Sequence, residues 1–325
     1  MAARLTLQPP GLDELQQAQT LLTGLAHHTP VLESRTLNRK LGCRLLFKCE
    51  NFQRGGAFKY RGACYAIASL SPEQKAHGVA THSSGNHGAA LALAAREAGV
   101  ECTVVMPWNA NATKRDNVLR NGARIIDCEP NQQAREEALA AWIDFSRAVP
   151  IPPYEHRDVI AGQATVALEL LQQADSLDAL LVPVGGGGLI AGSALALSWK
   201  QPDLPLLGVE PAGADDAFRA LRQGHRVRLD QVDTICDGLR AQIGELTFAI
   251  LQQHVEAILT VDDETTIAAT RLLFERLKIV VEPSSAIVLA AVIQQPQRFT
   301  GQTLGLVLTG GNVDLDRLPW HPASR

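Results

Sequence analysis

A stretch of 21 residues without a charged side chain, from Ala179 to Trp199, restricts the possible folds of this chain more than any other feature. Its length would suffice for a helix that crosses a membrane. It also contains Pro183 and four consecutive glycines, which would break such a helix. A buried strand, a glycine turn and a helix that begins at Leu189 explain the stretch better. The segment therefore predicts an α/β protein without a membrane span.

Short apolar runs alternate with helical segments along most of the chain. The predicted strands are 78–81, 101–106, 123–126, 180–184, 204–209 and 304–308, and the predicted helices are 89–98, 112–121 and 189–200. Apolar strands of this length between helices are typical of parallel sheets that helices cover on both faces. Because 78–126 carries strands of its own, we predict a small domain of residues 77–154. It would be inserted into a large domain of residues 1–76 plus 155–325.

Charge and cysteine usage narrow the class of protein further. The chain has 30 Lys and Arg residues against 34 Asp and Glu residues, and no long run of like charges, so nothing indicates nucleic-acid binding. The N-terminal segment lacks the continuous apolar core of a secretory signal. The six cysteines show neither a CxxC pair nor the spacing of a zinc site. We therefore expect reduced cysteines in the core of a cytoplasmic protein.

The four glycines, Gly185 to Gly188, form a candidate phosphate site. They follow an apolar strand and open the next helix, where backbone N–H groups can surround an anion and the helix N-terminus adds partial positive charge. A bound phosphate would also offset the entropy that four glycines lose on folding. The alternative is a flexible connection without a ligand. The spacing differs from the GxGxxG of dinucleotide sites, since Leu189 and Ile190 follow directly.

Two other segments place polar side chains beside glycine turns. Lys59 lies just inside a predicted helix, where the helix dipole favours the neutral, nucleophilic amine that Schiff-base chemistry needs. Taken alone, a solvated lysine is the more common case. The segment Ser83-Ser-Gly-Asn-His-Gly88 lies between a strand and a helix, where ligands bind in open α/β sheets. A simple helix cap would explain that segment equally well.

Two carboxylates form a candidate cation site. Glu210 and Asp216 flank Ala214 after a predicted strand, and a hard divalent cation prefers carboxylate and carbonyl oxygens, with water completing the shell. Most carboxylate pairs with this spacing are merely solvated. Thr309 follows the last predicted strand and precedes two glycines, and a turn or capping role explains it as well as a functional one.

Seven segments in this order carry a resemblance to a known family: GGAFKYRGA, SSGNHG, VPVGGGGL, EPAGADD, DGLRAQIG, VEPSSA and LTGGNVDL. Together they resemble the fold-type II pyridoxal-phosphate enzymes, in the branch of the serine racemases and serine/threonine dehydratases. The resemblance extends from about Thr29 to Leu315. It implies a two-lobed α/β fold like that of the tryptophan synthase β subunit, pyridoxal 5'-phosphate as cofactor, an amino-acid substrate and a homodimer.

The resemblance implies a role for each residue of the cofactor site. Lys59 matches the lysine that binds the cofactor covalently and acts as a base on one face of the substrate. Asn86 would bind the ring hydroxyl of the cofactor, the four glycines its phosphate, and Thr309 its pyridine nitrogen. The implied cofactor contacts are Phe58, Lys59, Asn86, Gly185, Gly186, Gly187, Gly188, Leu189 and Thr309.

The resemblance also implies substrate and metal contacts. Ser84 matches the serine that faces the side of the substrate opposite the lysine. The loop that takes the substrate carboxylate would consist of Ser83, Ser84, Gly85 and His87. Glu210, Ala214 and Asp216 match the family's site for a divalent cation, which would be Mg²⁺ or alternatively Ca²⁺ or Mn²⁺.

The favoured activity is that of an ammonia-lyase that eliminates water from L-serine, L-threonine or a related β-hydroxy amino acid, giving a 2-oxo acid and ammonia. A racemase that uses Lys59 and Ser84 as opposed bases is the alternative. A threo-3-hydroxyaspartate dehydratase is a further one, with Arg135 as a candidate partner for the second carboxylate. A non-catalytic binding protein on the same fold is the alternative of a different class.

Several positions depart from the family pattern, and two of them concern the cofactor. Thr309 stands where serine is usual, and the hydroxyl is kept. A hydroxyl at this position, unlike a carboxylate, would leave the pyridine nitrogen largely unprotonated and so favour loss of the β-hydroxyl of the substrate. Tyr154 replaces an asparagine that reaches the cofactor in the animal racemases, and this region resembles the bacterial dehydratases more closely.

Overall fold

The structure is a computed structural model that describes residues 8–83, 85–110 and 112–320. The strands are β1 (Val31–Glu33), β2 (Arg44–Cys49), β3 (Val79–Thr81), β4 (Cys102–Pro107), β5 (Arg124–Cys128), β6 (Val149–Pro150), β7 (Ala179–Pro183), β8 (Leu206–Pro211), β9 (Ala257–Val261) and β10 (Thr303–Leu308). The helices are α1 (Leu12–Leu22), α2 (Arg35–Leu41), α3 (Lys59–Ala68), α4 (Pro72–His77), α5 (Asn86–Glu97), α6 (Ala112–Arg120), α7 (Gln132–Ser146), α8 (Arg157–Gln173), α9 (Gly188–Lys200), α10 (Asp216–Gln223), α11 (Glu245–His254), α12 (Asp263–Arg276), α13 (Pro283–Gln294) and α14 (Pro296–Phe299). Short 3₁₀ helices cover Glu50–Phe52, Arg54–Gly56, Ala212–Ala214, Asp237–Leu239 and Leu315–Arg317.

The strands form two separate sheets. The larger sheet has six strands in the order β1-β2-β10-β7-β8-β9, and the smaller has four in the order β5-β4-β3-β6. Among the described residues every pairing of these strands is parallel except that of β1 with β2. The smaller sheet comes entirely from 79–150, whereas the larger one combines strands from before and after that stretch. The predicted α/β class with parallel sheets is confirmed.

The predicted strands are all present, with ends that differ by at most two residues. The sequence patterns missed β1, β2, β6 and β9. β1 and β6 are only three and two residues long, too short to show a period. β2 contains Lys48, which is fully buried in the sheet and interrupts the apolar run. A charged residue is tolerated there because Glu169 of α8 lies 2.7 Å from its amine.

Helices cover both faces of the six-stranded sheet. Along β7 the side chains alternate between two cores: Leu180 and Val182 pack with α8 and α9, whereas Ala179 and Leu181 pack with α13. Since both faces are buried, the strand reads as a continuous apolar run, as the sequence indicated. Within the ranges that the structure describes, no helix combines the length and apolar character needed to span a membrane.

A buried ionic network fastens α3 to the larger sheet. The Arg61 guanidinium donates to both carboxylate oxygens of Glu50, at 2.7 and 2.8 Å, and to both of Glu169, at 2.6 and 2.8 Å. The Lys48 amine also donates to Glu169. Arg61, Glu50 and Lys48 are fully buried, whereas the side chain of Glu169 is 15% exposed. The network therefore holds the helix that begins at Lys59 against β2 and α8.

Candidate active site

Lys59 begins α3, directly after a turn in which Gly55 and Gly56 adopt positive φ angles of 68° and 74°. Its amine donates a hydrogen bond to the carbonyl oxygen of Pro153 at 2.9 Å. Partial burial lowers the pKa of Lys59 to about 8, while the carboxylate of Glu282 opposes the shift. Because a larger share of the amine is neutral at neutral pH than in an ordinary lysine, Lys59 is suited to act as a nucleophile or base.

The end of β10 lies beside this lysine. The backbone N–H of Phe58 donates to the carbonyl oxygen of Thr309 at 3.0 Å, and Ala57 pairs with Gly310 in an isolated bridge. The Thr309 hydroxyl is buried, 3.0 Å from that of Ser285. The Ser285 hydroxyl also lies 2.6 Å from the Gly310 carbonyl, and either hydroxyl can be the donor of the bond between Ser285 and Thr309. Ser285 was not predicted as a site residue, although the VEPSSA segment contains it.

The glycine turn follows β7 and leads into α9. A Cβ atom at Gly186 would lie 2.3 Å from two ring carbons of Tyr154, and one at Gly185 would lie 3.1 Å from the Cα of Leu239. Gly187 has a φ of 88°, which favours glycine, and is the N-cap of α9. The turn is therefore packed so closely that only glycine fits, and its N–H groups lie at a helix N-terminus. This cradle fits a phosphate group. Leu189 is buried in the first turn of α9.

Asn86 connects the two sheets at this site. It begins α5, and its amide donates to both carboxylate oxygens of Glu282, at 3.0 and 3.1 Å. Its own oxygen accepts from Asn312 at 3.0 Å. Glu282 is buried at the N-cap of α13. Glu282 was not predicted as a functional residue, because only packing brings its carboxylate to Asn86 and near Lys59.

The predicted carboxylate loop lies between β3 and α5. Ser84 lies outside the described residues. Ser83 is partly buried, and a Cβ atom at Gly85 would meet nothing within 4 Å, so the loop borders open space there. The His87 side chain is buried, and its Nε2 donates to the carbonyl oxygen of Ile151 at 2.8 Å. Burial, aided by the charge of Lys59, lowers the pKa of His87 to about 3. His87 is therefore neutral, with its imidazole turned to β6.

The predicted metal ligands are buried at the end of β8. Glu210 accepts from the backbone N–H groups of Ala217 and Phe218, at 3.1 and 2.8 Å, and Asp216 accepts from that of Ile243 at 2.7 Å. Burial and the nearby Asp216 raise the pKa of Glu210 well above its usual value. Burial raises the pKa of Asp216 to about 6. Two buried carboxylates that resist ionisation together fit a divalent cation, which would favour their charged forms.

In the described part of the chain, no group of three or more His, Cys, Asp or Glu side chains gathers in the manner of a metal centre. A cation at Glu210 and Asp216 would therefore need other oxygen ligands. The carbonyl of Ala214, which is buried in the same turn, and water molecules are suited to that role.

Comparison with known proteins agrees with this geometry. Residues 22–310 match the family model described as "Pyridoxal-phosphate dependent enzyme". The chain belongs to this family. The family match and the similar structures confirm the predicted fold and cofactor class.

Individual relatives cover nearly the whole chain. It is 43% identical to the beta-hydroxyaspartate dehydratase of Paracoccus denitrificans over 96% of this chain and 99% of the relative. It is 44% identical to a serine racemase of Arabidopsis thaliana over 94% of this chain and 93% of the relative. The structure of maize serine racemase superposes with a TM-score of 0.92 at 41% identity, over 94% of this chain and 95% of that one. These names agree with the predicted choice between an ammonia-lyase and a racemase.

Proposed function

We propose that this protein is an ammonia-lyase that eliminates water from a β-hydroxy amino acid and yields a 2-oxo acid and ammonia. The observation that carries the proposal is the hydrogen bond of 3.0 Å from the Phe58 N–H to the Thr309 carbonyl. This bond places Lys59, whose pKa is lowered, in the segment next to Thr309, whose side chain ends in a neutral hydroxyl. Bound pyridoxal phosphate supplies an electron sink for the α-carbon of the substrate. A hydroxyl beside its pyridine nitrogen, rather than a carboxylate, keeps that sink weak and favours loss of the β-hydroxyl.

The residues of this chain take the following roles in the proposal. Lys59 attaches the cofactor and, as a neutral amine, accepts the α-proton of the substrate. The glycine turn holds the phosphate, and Asn86, oriented by Glu282 and Asn312, binds the ring hydroxyl. Thr309 is kept in place by Ser285 and faces the pyridine nitrogen. These roles, with Phe58 and Leu189 as packing contacts, complete the proposed cofactor site.

The substrate class rests on the relatives. The Paracoccus relative is named for β-hydroxyaspartate, which supports a substrate with a second carboxylate. Arg135 of α7 remains a candidate partner for that carboxylate, since among the described residues its guanidinium makes only one hydrogen bond, a long one of 3.4 Å to the carbonyl of Asn131. Serine racemisation, with Ser84 as the second base, is the second candidate, supported by the similarity to the Arabidopsis and maize racemases.

One experiment separates these activities. The protein, loaded with pyridoxal phosphate and Mg²⁺, is incubated separately with L-serine, L-threonine and L-threo-3-hydroxyaspartate, and both the 2-oxo acid and the D-enantiomer are quantified. An excess of oxo acid supports the lyase and identifies its substrate. An excess of D-serine would replace the proposal by the racemase. No product from any substrate, with Lys59→Ala as the blank, would contradict both.

We propose that Glu210, Asp216 and the Ala214 carbonyl hold Mg²⁺, with Ca²⁺ or Mn²⁺ as alternatives. The support is the burial of both carboxylates and the raised pKa that each acquires without a cation. The proposed role is structural, because Asp216 begins α10 and binds the N–H of Ile243, close to the phosphate turn.

We propose a cytoplasmic homodimer in which residues 77–154 form a domain inserted into the rest of the chain. The dimer is supported by an apolar surface around Leu25, Phe52 and Val280, each 43% exposed. Hydrogen bonds from Arg54 to Leu25 and from Asn51 to Val280 bring these segments together. Phe52→Glu should yield a monomer by light scattering, and an unchanged mass would exclude this surface as the interface.

A further inference from the structure

Glu155 lies in the segment between β6 and α8, yet its carboxylate occupies the N-terminus of α11, 90 residues further along the chain. It accepts from the backbone N–H groups of Glu245 and Leu246 through one oxygen and from that of Thr247 through the other, each at 3.1 Å. The first N–H groups of a helix have no partner within the helix. A carboxylate from a distant segment therefore satisfies them here.

Thr247 extends this contact to the glycine turn. Its hydroxyl accepts from the N–H of Gly244 at 3.0 Å and has two acceptors within reach, the carbonyl oxygen of Gly186 at 2.9 Å and the carboxylate of Glu155 at 3.2 Å. In a planar trans peptide, the C=O of one residue and the N–H of the next point in opposite directions. Holding the Gly186 carbonyl towards α11 therefore turns the N–H of Gly187 to the opposite side.

The two segments meet through glycines. A Cβ atom at Gly244 would lie 1.9 Å from the carboxylate of Glu155, and one at Gly187 would lie 2.3 Å from Ile243 and 2.9 Å from the Thr247 hydroxyl. The packing therefore leaves no space for a side chain at either glycine. Glu155 thus influences the conformation of the glycine turn, because it contacts Thr247 and Thr247 contacts Gly186.

We propose that Glu155 is a positioning residue for the phosphate site: it holds Thr247 and the start of α11 so that the Gly187 N–H faces the cofactor phosphate. The inference rests on the proposed cofactor site at the glycine turn. The same segment also contacts the reactive lysine, because the Pro153 carbonyl accepts from Lys59. The short segment between β6 and α8 therefore contacts the amine of Lys59 directly and the phosphate turn through Thr247.

The test compares two carboxylates that cap helices. Glu155→Ala removes the proposed positioning residue, whereas Asp262→Ala removes the ordinary cap of α12, which accepts from the Thr265 N–H at 2.7 Å. Cofactor affinity is measured by titrating cofactor-free protein with pyridoxal phosphate, and the phosphate environment by ³¹P NMR of the loaded protein. We expect Glu155→Ala to raise the dissociation constant by about tenfold or more and to shift the ³¹P resonance, and Asp262→Ala to do neither.

A second pair of variants keeps the test decisive if Glu155→Ala fails to fold. Thr247→Val removes the hydroxyl at almost constant shape and should weaken cofactor binding, whereas Thr247→Ser should preserve it. The double variant Glu155→Ala/Thr247→Val should lose less cofactor affinity than the two single losses combined, because both substitutions act through one contact.

Two results would overturn the inference. If Glu155→Ala and Thr247→Val lower the unfolding temperature but leave the dissociation constant and the ³¹P resonance unchanged, Glu155 is only a helix cap. If the unmodified protein itself does not bind pyridoxal phosphate, the proposed function fails and this inference fails with it. The titration of the unmodified protein therefore distinguishes the two failures.

Discussion

At the scale of single residues, the site depends on side chains whose protonation is set by burial. Lys59 and His87 are both held closer to their neutral forms than in water, and each donates to a single backbone carbonyl. For Lys59 the result is reactivity. For His87 it is a fixed tautomer, because the proton on Nε2 is required by the Ile151 carbonyl.

The pKa of Lys59 predicts how cofactor attachment depends on pH. Only the neutral amine attacks, so the attachment rate should rise with pH up to about 8 and then level off. For a lysine with an ordinary pKa, the attachment rate would keep rising up to about pH 10.4. Stopped-flow absorbance of cofactor-free protein mixed with pyridoxal phosphate measures the rate, with Lys59→Ala as a control that should show no attachment. A rate that climbs steadily beyond about pH 9.5 would contradict the prediction.

His87 predicts a dependence of stability on pH. Its pKa is about 3 in the folded protein against 6.5 for the free side chain, so between these values the unfolded chain binds the extra proton. The free energy of unfolding should therefore fall by about 1 kcal/mol for each pH unit below 6.5. His87→Gln keeps a donor for the Ile151 carbonyl but cannot titrate, and should show a correspondingly shallower slope in urea unfolding between about pH 7 and about pH 5. Identical slopes would disprove the assignment.

At the scale of secondary-structure elements, the site depends on how closely helices and turns approach one another. The glycine turn is enclosed by Tyr154 and Leu239, and α3 is fixed by the buried network around Arg61. Neither contact involves a neighbour in sequence. Both can be tested by changing the space or the charge at a single position.

Gly186→Ala should weaken cofactor binding, because the added methyl would overlap the Tyr154 ring, 2.3 Å away. We expect the dissociation constant for pyridoxal phosphate to rise by about tenfold or more. Gly11→Ala, at the N-cap of α1 with its nearest neighbour at 3.5 Å, is the matched control and should bind normally. Adding Tyr154→Ala to Gly186→Ala should restore part of the affinity, and a lack of any restoration would show that the ring is not the cause.

Arg61→Met should destabilise the protein by about 3–5 kcal/mol, because it leaves the buried carboxylate of Glu50 without its ion-pair partner and that of Glu169 with Lys48 alone. Arg44→Met removes a comparable pair with Glu33 in which both side chains are exposed, and should cost less than about 1 kcal/mol. Urea unfolding of the loaded protein measures both. Equal losses would mean that the buried network contributes no more than a surface pair.

At the scale of the whole molecule, the candidate active site combines elements that pack on the two sheets. Asn86 at the start of α5 reaches Glu282 at the start of α13, and the segment between β6 and α8 contacts both the lysine and the glycine turn. The cation site proposed at Glu210 and Asp216 also involves distant parts of the chain, since Asp216 connects α10 to the loop before α11.

Cation removal should therefore affect global stability. Mg²⁺ should raise the unfolding temperature, by about 2–4 °C for each kcal/mol of binding free energy, and a chelator should reverse the shift. Glu210→Gln should abolish the response, because the amide cannot supply the anionic oxygen that the cation would bind. Asp215→Asn, next to the site but paired with Arg219, should respond normally. A normal response by Glu210→Gln would place the cation elsewhere.

The sequence by itself determined the α/β class, most of the strands and the family. β7, the glycine turn and α9 follow from local patterns: an apolar run, residues without side chains, and a helical period. The turn before Lys59 could be predicted for the same reason, since Gly55 and Gly56 adopt backbone angles that favour glycine. These features depend on residues that are close together in the sequence, and they can therefore be predicted from short segments.

Only the tertiary structure decided which distant groups complete the site. Glu282 reaches Asn86 across 196 residues, Glu155 reaches α11 across about 90, and Lys48 is tolerated in a buried strand only because Glu169 lies beside it. No local pattern distinguishes these carboxylates from solvated ones. Their roles arise because burial makes an unpaired charge costly, so each one must find a partner that only the packing of the whole chain can supply.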